Sequence, residues 1–211
     1  VLATSTHGVA GSWTWCTGVL RNRAELASAH GLPAGLTSSG LIAALHGGPA
    51  VMPAASLLGS ATWIHWDESR DELRLARDRL GLHPLYYAES ADRTVVVADS
   101  ARGVADILPG PRRPNRATLT AHICGLPPSD DGTYFDDVRA VPPGAVVTIT
   151  RATSRSEAYW RLSLGPALIL AGDREYAAAY RALLARVVSG YAAAAGRVAP
   201  RRLRVARPTG R

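Results

Sequence analysis

Two cysteines and six histidines are the side chains in this sequence that could attack a carbonyl or hold a metal. Neither Cys16 nor Cys124 belongs to a CxxC pair, and His122 and Cys124, two apart, would face different sides of a helix. The histidines show no HExxH spacing, so no zinc site is expected. All 24 basic residues are arginine, which removes a P-loop lysine and any Schiff base. A thiol hydrolase built on Cys16 would need a histidine to orient and deprotonate it, and none is recognisable nearby. The densest run of special residues is "LARDRLGLHPLYYAES" (75–90). It places Arg77, Asp78, Gly81, Pro84, Tyr86 and Tyr87 close together.

Two hairpins must hold that run. Residues 58–67 alternate in polarity, "DESRDE" turns the chain, and "LRLARD" (73–78) returns with Leu73 and Leu75 on one face. "PLYYAE" and "RTVVVAD" form the second hairpin, over 85–99. Gly81 supplies a backbone turn that a side chain would resist. Pro84 is expected to enter an edge strand, where a missing donor is tolerated. Arg77 and Asp78 can hydrogen-bond the backbone of neighbouring loops. "GSWTWCTGVL" (11–20) reads as a strand. A helix follows over 22–30, with Asn22 and Glu25 as a capping box. A second helix over 37–46 is capped by Thr37 or Ser38. Short helices follow at 100–108 and 115–125, capped by Ser100 and Asn115. "AVVTITR" and "SEAYWRL" are strands. The helix at 173–195 carries Tyr176, Tyr180, Leu183, Val187 and Tyr191 on one stripe. Strands in hairpins and helices in pairs predict an α+β layered architecture.

An apolar fraction of 47% over 211 residues, with five Trp and seven Tyr, suffices for a core. No apolar run is long enough to span a bilayer and no leader pattern opens the chain, so a cytoplasmic protein with no membrane partner is the expectation. The first residue is Val, which leaves room for a natural N-terminus upstream. The net charge of +7 is concentrated in "RVAPRRLRVARPTGR" (197–211), and the rest of the chain is close to neutral. That tail reads as a solvated terminus. Nucleic acid is not an expected partner, because the aromatic residues sit in core-like strands and not among the arginines.

The run "LARDRLGLHPLYYA" resembles the strand–turn–strand signature of the glutaminase domain in the asparagine synthetase family, a class II glutamine amidotransferase. Arg77, Asp78, Gly81, Pro84, Leu85, Tyr86 and Tyr87 match it in order. "TGVLRNRAEL" (17–26) resembles the family's Asn-Gly-Glu-Ile-Tyr-Asn segment. "DDGTYFDDVRAVPPGAVVTI" is similar to the stretch ending in Pro-Pro-Gly, and Tyr159-Trp160 to the closing Tyr-Trp. The resemblance implies an N-terminal-nucleophile-hydrolase-like αββα sandwich with antiparallel sheets over residues 1–164. Residues 165–211 would then be a linker and the first helix of an ATP-pyrophosphatase (synthetase) domain. ATP and Mg²⁺ would belong to that domain and not to this chain. The expected partners are the synthetase domain and a second copy in a homodimer.

The resemblance also implies a degenerate glutamine pocket. The family attacks glutamine with an N-terminal Cys whose own amine is the base, and Val1 has no thiol. The Asn-Gly pair of the oxyanion hole reads Thr17-Gly18. The acid that follows reads Val19, and the Asp that holds the substrate amine aligns near Ser38. No catalytic residue is therefore expected in this chain. In character it looks closest to β-lactam synthetase and the lasso-peptide macrolactam cyclases, which make an amide within an ATP-activated substrate. The lysine-free, arginine-rich composition fits a GC-rich bacterial genome. A stand-alone thiol hydrolase using Cys16 and a purely structural scaffold are the alternatives.

Overall fold

The computed structural model describes residues 4–9, 11–46, 54–127 and 129–195. The expectations for Val1 and for the tail beyond Gly196 lie outside these residues. In chain order the strands are β1 (Thr4–Val9), β2 (Ser12–Thr17), β3 (Thr62–Asp67), β4 (Glu72–Ala76), β5 (Tyr86–Glu89), β6 (Val95–Ala98), β7 (Arg139–Ala140), β8 (Ala145–Thr150) and β9 (Ser154–Ala158). The helices are α1 (Arg23–Ala29), α2 (Ser38–His46), α3 (Ala101–Ile107), α4 (Arg116–Ile123) and α5 (Asp173–Ala195).

Every strand pair is antiparallel. A six-stranded sheet runs β1-β2-β3-β4-β8-β9, and a three-stranded sheet runs β6-β5-β7. Period-two alternation explains how they stack. Leu73, Leu75, Val147 and Ile149 leave one face of the large sheet and meet Leu85 and Tyr87 of the small one. Cys16, Trp63 and Ala76 leave the opposite face and pack under Leu26, Leu41, Ile42 and Leu45 of α1 and α2. Val104 and Ala105 of α3 cover the outer face of the small sheet at Ala88. The layers are therefore helix, sheet, sheet, helix, the expected αββα arrangement.

Several local expectations are corrected. Asn22 sits at the start of α1 without capping it. Its carboxamide bridges Ser56 O (2.8 Å) and Leu58 N (2.9 Å), pinning the segment before β3. Ser100 and Asn115 do cap, accepting from Gly103 N and Thr118 N at 3.1 Å each. At α2 the acceptor is Thr37 Oγ1, 3.1 Å from Gly40 N. Pro84 does not enter an edge strand, because β5 is the central strand of its sheet. It precedes the ladder by two residues, where its missing donor costs no strand pairing. The last strand starts and stops earlier than "SEAYWRL". The Tyr159 and Trp160 amides both donate to Gly144 O (2.9 and 3.1 Å), which draws the chain off the ladder. β1 and β7 have no counterpart in the sequence reading.

Candidate functional site

The turn after β4 is built by two side chains reaching opposite ways. Arg77 donates to three carbonyls: Gly81 O at 2.8 Å, His83 O at 3.2 Å and Val141 O at 3.2 Å. Asp78 is buried, with 3% exposure, and receives three backbone donors. Oδ2 accepts from Leu80 N (3.2 Å) and Leu82 N (3.1 Å), and Oδ1 accepts from His83 N (3.2 Å). A buried carboxylate is tolerable here because charge-assisted hydrogen bonds replace its water shell. Gly81 has φ of +66°, and a Cβ there would lie 2.9 Å from Pro143 Cγ and 3.0 Å from Arg77 Nη2. Both the backbone conformation and the space demand glycine. Pro84 and Tyr86 then lead into β5, where Tyr86 pairs with Ala140 of β7.

The product of this construction is the position of His83. Its amide is held by Asp78, and its carbonyl is held by Arg77 and by Thr62 Oγ1 (3.2 Å). The imidazole lies against Gly18. A Cβ on Gly18 would be 2.7 Å from His83 Cδ2 and 2.2 Å from Ser60 O, and φ there is +97°. Thr17, just before it, is buried and shares a 3.2 Å hydrogen bond with Thr4 Oγ1 across the β1–β2 ladder. Val19 continues the corner. Its amide meets Ser60 Oγ at 3.4 Å, and its carbonyl accepts from Ser60 N at 2.9 Å. Thr17, Gly18 and Val19 therefore come together at one end of the large sheet.

Ser38 is reached from a different element than Thr17, Gly18 and Val19. It opens α2 on the helix-covered face, where the neighbouring Ser39 amide donates to Ser5 Oγ at 3.2 Å. The sequence reading passed over Thr4, Ser60, Thr62 and His83. Only His83 carried a signal, through its place directly before Pro84 in the matched run. Chemically the corner offers hydroxyls, backbone and one imidazole. Among Thr4, Thr17, Gly18, Val19, Ser60 and Thr62 there is neither a carboxamide nor a carboxylate.

Cys16 is a core residue with 1% exposure, packed under α1 and α2. Burial pushes its thiol up to about 12, which disfavours the nucleophilic thiolate near neutral pH. Its burial and the absence of a hydrogen-bonded histidine among the described residues weigh against the thiol-hydrolase alternative. Cys124 is exposed at the end of α4, and His122 shares a 3.2 Å hydrogen bond with the Tyr134 hydroxyl. Among the described residues no group of His, Cys, Asp and Glu is arranged to hold a metal ion. None of the described helices is long and apolar enough to cross a membrane.

Comparison with solved structures finds glutamine phosphoribosylpyrophosphate amidotransferase from B. subtilis complexed with ADP and GMP, at 18% identity and a TM-score of 0.46. The match covers 76% of this chain and 31% of that one. A structure described as the allosteric regulatory enzyme of purine biosynthesis matches at 17% identity and a TM-score of 0.44, covering 72% of this chain and 30% of that one. The chain thus spans about a third of each of these two structures. No curated protein matches. The glutamine amidotransferase domain model matches residues 41–160, a stretch that takes in the Arg77–Tyr87 run, both hairpins and the closing Tyr159-Trp160, and on that match the chain belongs to the glutamine amidotransferase domain family.

Proposed function

We propose that the chain is the glutaminase-like domain of an asparagine-synthetase-type, ATP-dependent amide-forming ligase, with a glutamine-hydrolysing site that no longer works. The observation that carries the reading is the corner at Thr17-Gly18. The backbone there keeps the left-handed glycine and the close approach of Ser60 and His83. The carboxamide that would stabilise a tetrahedral oxyanion is replaced by a threonine hydroxyl already shared with Thr4. Losing one such donor costs about 10²–10³ in rate. Val19 supplies no acid, and the position that would hold the amine carries Ser38, so an incoming glutamine amine would meet no carboxylate from either.

The domain then acts as a scaffold that packs against a synthetase domain, in the same protein or as a partner, with a homodimer as the further assembly. ATP and magnesium belong to that synthetase domain. No step on this chain runs through the nucleotide.

Two measurements test the proposal. Full-length protein incubated with glutamine should release no ammonia above a heat-denatured control, and saturable turnover would overturn the degenerate-site reading. Isothermal titration of the 211-residue chain with ATP and magnesium should show no binding. Micromolar affinity would place a nucleotide site on this chain and overturn its assignment as scaffold alone.

A further inference from the structure

The inner face of the six-stranded sheet is wider than the three-stranded sheet that covers it. At the Ser12 end of β2, opposite the Thr17 corner, Trp13 pairs with Trp66 across the ladder. Trp13 is left 45% exposed, and Trp66 packs at the margin of the inter-sheet core. A cavity of about 330 Å³ opens there. Trp13, Trp66, Leu73 and Ile149 wall it from the large sheet, and Val95 walls it from β6.

The rim carries charged residues in conformations that glycine would adopt more cheaply. Asp71 (φ +48°) and Arg93 (φ +67°) are the two non-glycine residues with positive φ among the described residues, and both line this cavity. Each ends a hairpin turn at the position where a left-handed glycine is usual. Asp71 N donates to Glu68 O (3.2 Å) and Arg93 N to Ser90 O (3.0 Å). Strain kept at two such positions points to side chains with a use. Arg151, beyond β8, joins them. Its guanidinium forms an ion pair with Asp71 without hydrogen-bond alignment, and its carbonyl accepts from Arg93 Nη1.

Two opposite charges are left over. Arg93 has no ion-pair partner among the described residues, and neither has Glu89. Glu89 stands two residues after Tyr87 on β5, on the strand face that turns toward the large sheet, and it lines the same cavity. We infer that this cavity binds an aromatic α-amino acid, with its ring against the indoles, its carboxylate on Arg93 and its ammonium on Glu89. Asp71 and Arg151 neutralise each other, so Arg93 and Glu89 decide the class. A ligand with an ammonium alone would leave Arg93 unmatched beside it, and one with a carboxylate alone would face Glu89. A zwitterion satisfies both. An aliphatic zwitterion would leave the indole faces without a stacking partner. The volume is at the small end of ligand pockets, which suits a single amino acid.

L-Phenylalanine, 2-phenylethylamine, 3-phenylpropanoate and L-glutamine are the probes, titrated into the full chain and followed by ¹H–¹⁵N spectra of the indole N–H groups. Phenylalanine should shift the Trp13 and Trp66 resonances saturably. The amine and the propanoate each lack one ionic contact and should bind about tenfold more weakly or worse. Glutamine should leave both indoles unmoved, which keeps this site distinct from the Thr17 corner. Trp13→Ala removes one wall at a half-exposed position and should abolish the response. Arg93→Gly relaxes the left-handed turn, so its Tm should match or exceed the parent's, while the advantage of phenylalanine over 2-phenylethylamine disappears. No saturable shift with phenylalanine, equal binding of the amine or the propanoate, a response that survives Trp13→Ala, or an advantage that survives Arg93→Gly would each overturn the proposal.

Discussion

The Tyr159 hydroxyl donates a 2.7 Å hydrogen bond to the carbonyl of Arg77, across 82 positions of sequence. The closing Tyr-Trp and the Arg-Asp run, which carried the family resemblance as separate matches, are thus parts of one structure. Burial and then the nearby Asp78 charge push the Tyr159 hydroxyl up to about 12. Its neutral form is favoured by folding, so its contribution is complete below pH 10 and is lost as pH rises toward 12. Tyr159→Phe leaves the Arg77 carbonyl without this partner and should cost about 1 kcal/mol near neutral pH. Urea denaturation at neutral pH and at about pH 11.5 checks both parts: the deficit should shrink at the higher pH.

Gly81 and Asp78 should be far less replaceable than their loop position suggests. Gly81→Val meets Pro143 and the Arg77 guanidinium as well as the left-handed backbone, and should destabilise by roughly 1–3 kcal/mol. Asp78→Ala strips the acceptor from three amides at once and should cost on the order of 1.5–3 kcal/mol. Thermal melts of both variants should fall below the parent by several degrees. Parent-like melts would mean that the turn is held by other contacts.

The layer order came with the resemblance, whereas the hairpins and helices were legible in the sequence because period-two and helical patterns are local. Capping was legible at Ser100 and Asn115 for the same reason. It failed at Asn22, because a side chain that can cap can also reach 34 residues along the chain to Ser56. β1 escaped because "THGV" carries no apolar alternation and forms only by pairing with β2. Thr17, Gly18 and Val19 were legible through the resemblance to the family's Asn-Gly segment, and they lie consecutively at the end of β2. The site was not legible at Ser60 and Thr62, which reach the corner by pairing with the distant β2 segment, whereas His83 is brought there by the Arg77–Asp78 turn.

Acid should unfold the protein earlier than its carboxylates alone would dictate. Burial, and after it the nearby positive groups, lower His46 from 6.5 to about 4. His65 is lowered by burial and Arg74. Both rings are favoured as neutral in the fold, so their contribution is complete above about pH 6.5 and is lost as pH falls toward 4. The loss from His46 alone is on the order of 3 kcal/mol across that window. His46→Leu, which cannot titrate, should flatten the decline in Tm between those pH values, although it sacrifices the Ile42 contact. An unchanged slope would mean that other groups set the acid limit.

α5 should be tied to the body mainly through one arginine. Most of its length is exposed, including Tyr180 at 65% and Val188 at 57%. Near its end the Arg21 guanidinium lies over the Tyr191 ring, 5.1 Å from the centroid. Arg21 Nη1 would stand 3.3 Å from a Cβ on Gly190, so a larger residue there would push the arginine aside. Among the described residues this is the cation–π contact that joins α5 to the body, and isolated helices are marginal in water. A partly exposed cation–π contact contributes about 0.5–1 kcal/mol, equivalent to roughly two- to fivefold in a local opening equilibrium. Arg21→Ala should therefore raise amide exchange across 176–192 by about that factor. The body should respond less, because Arg21's backbone bond to Leu58 O does not involve the side chain. Mass-resolved hydrogen exchange separates the two regions. Equal acceleration in both would show that Arg21 supports the β2–α1 corner and not the helix.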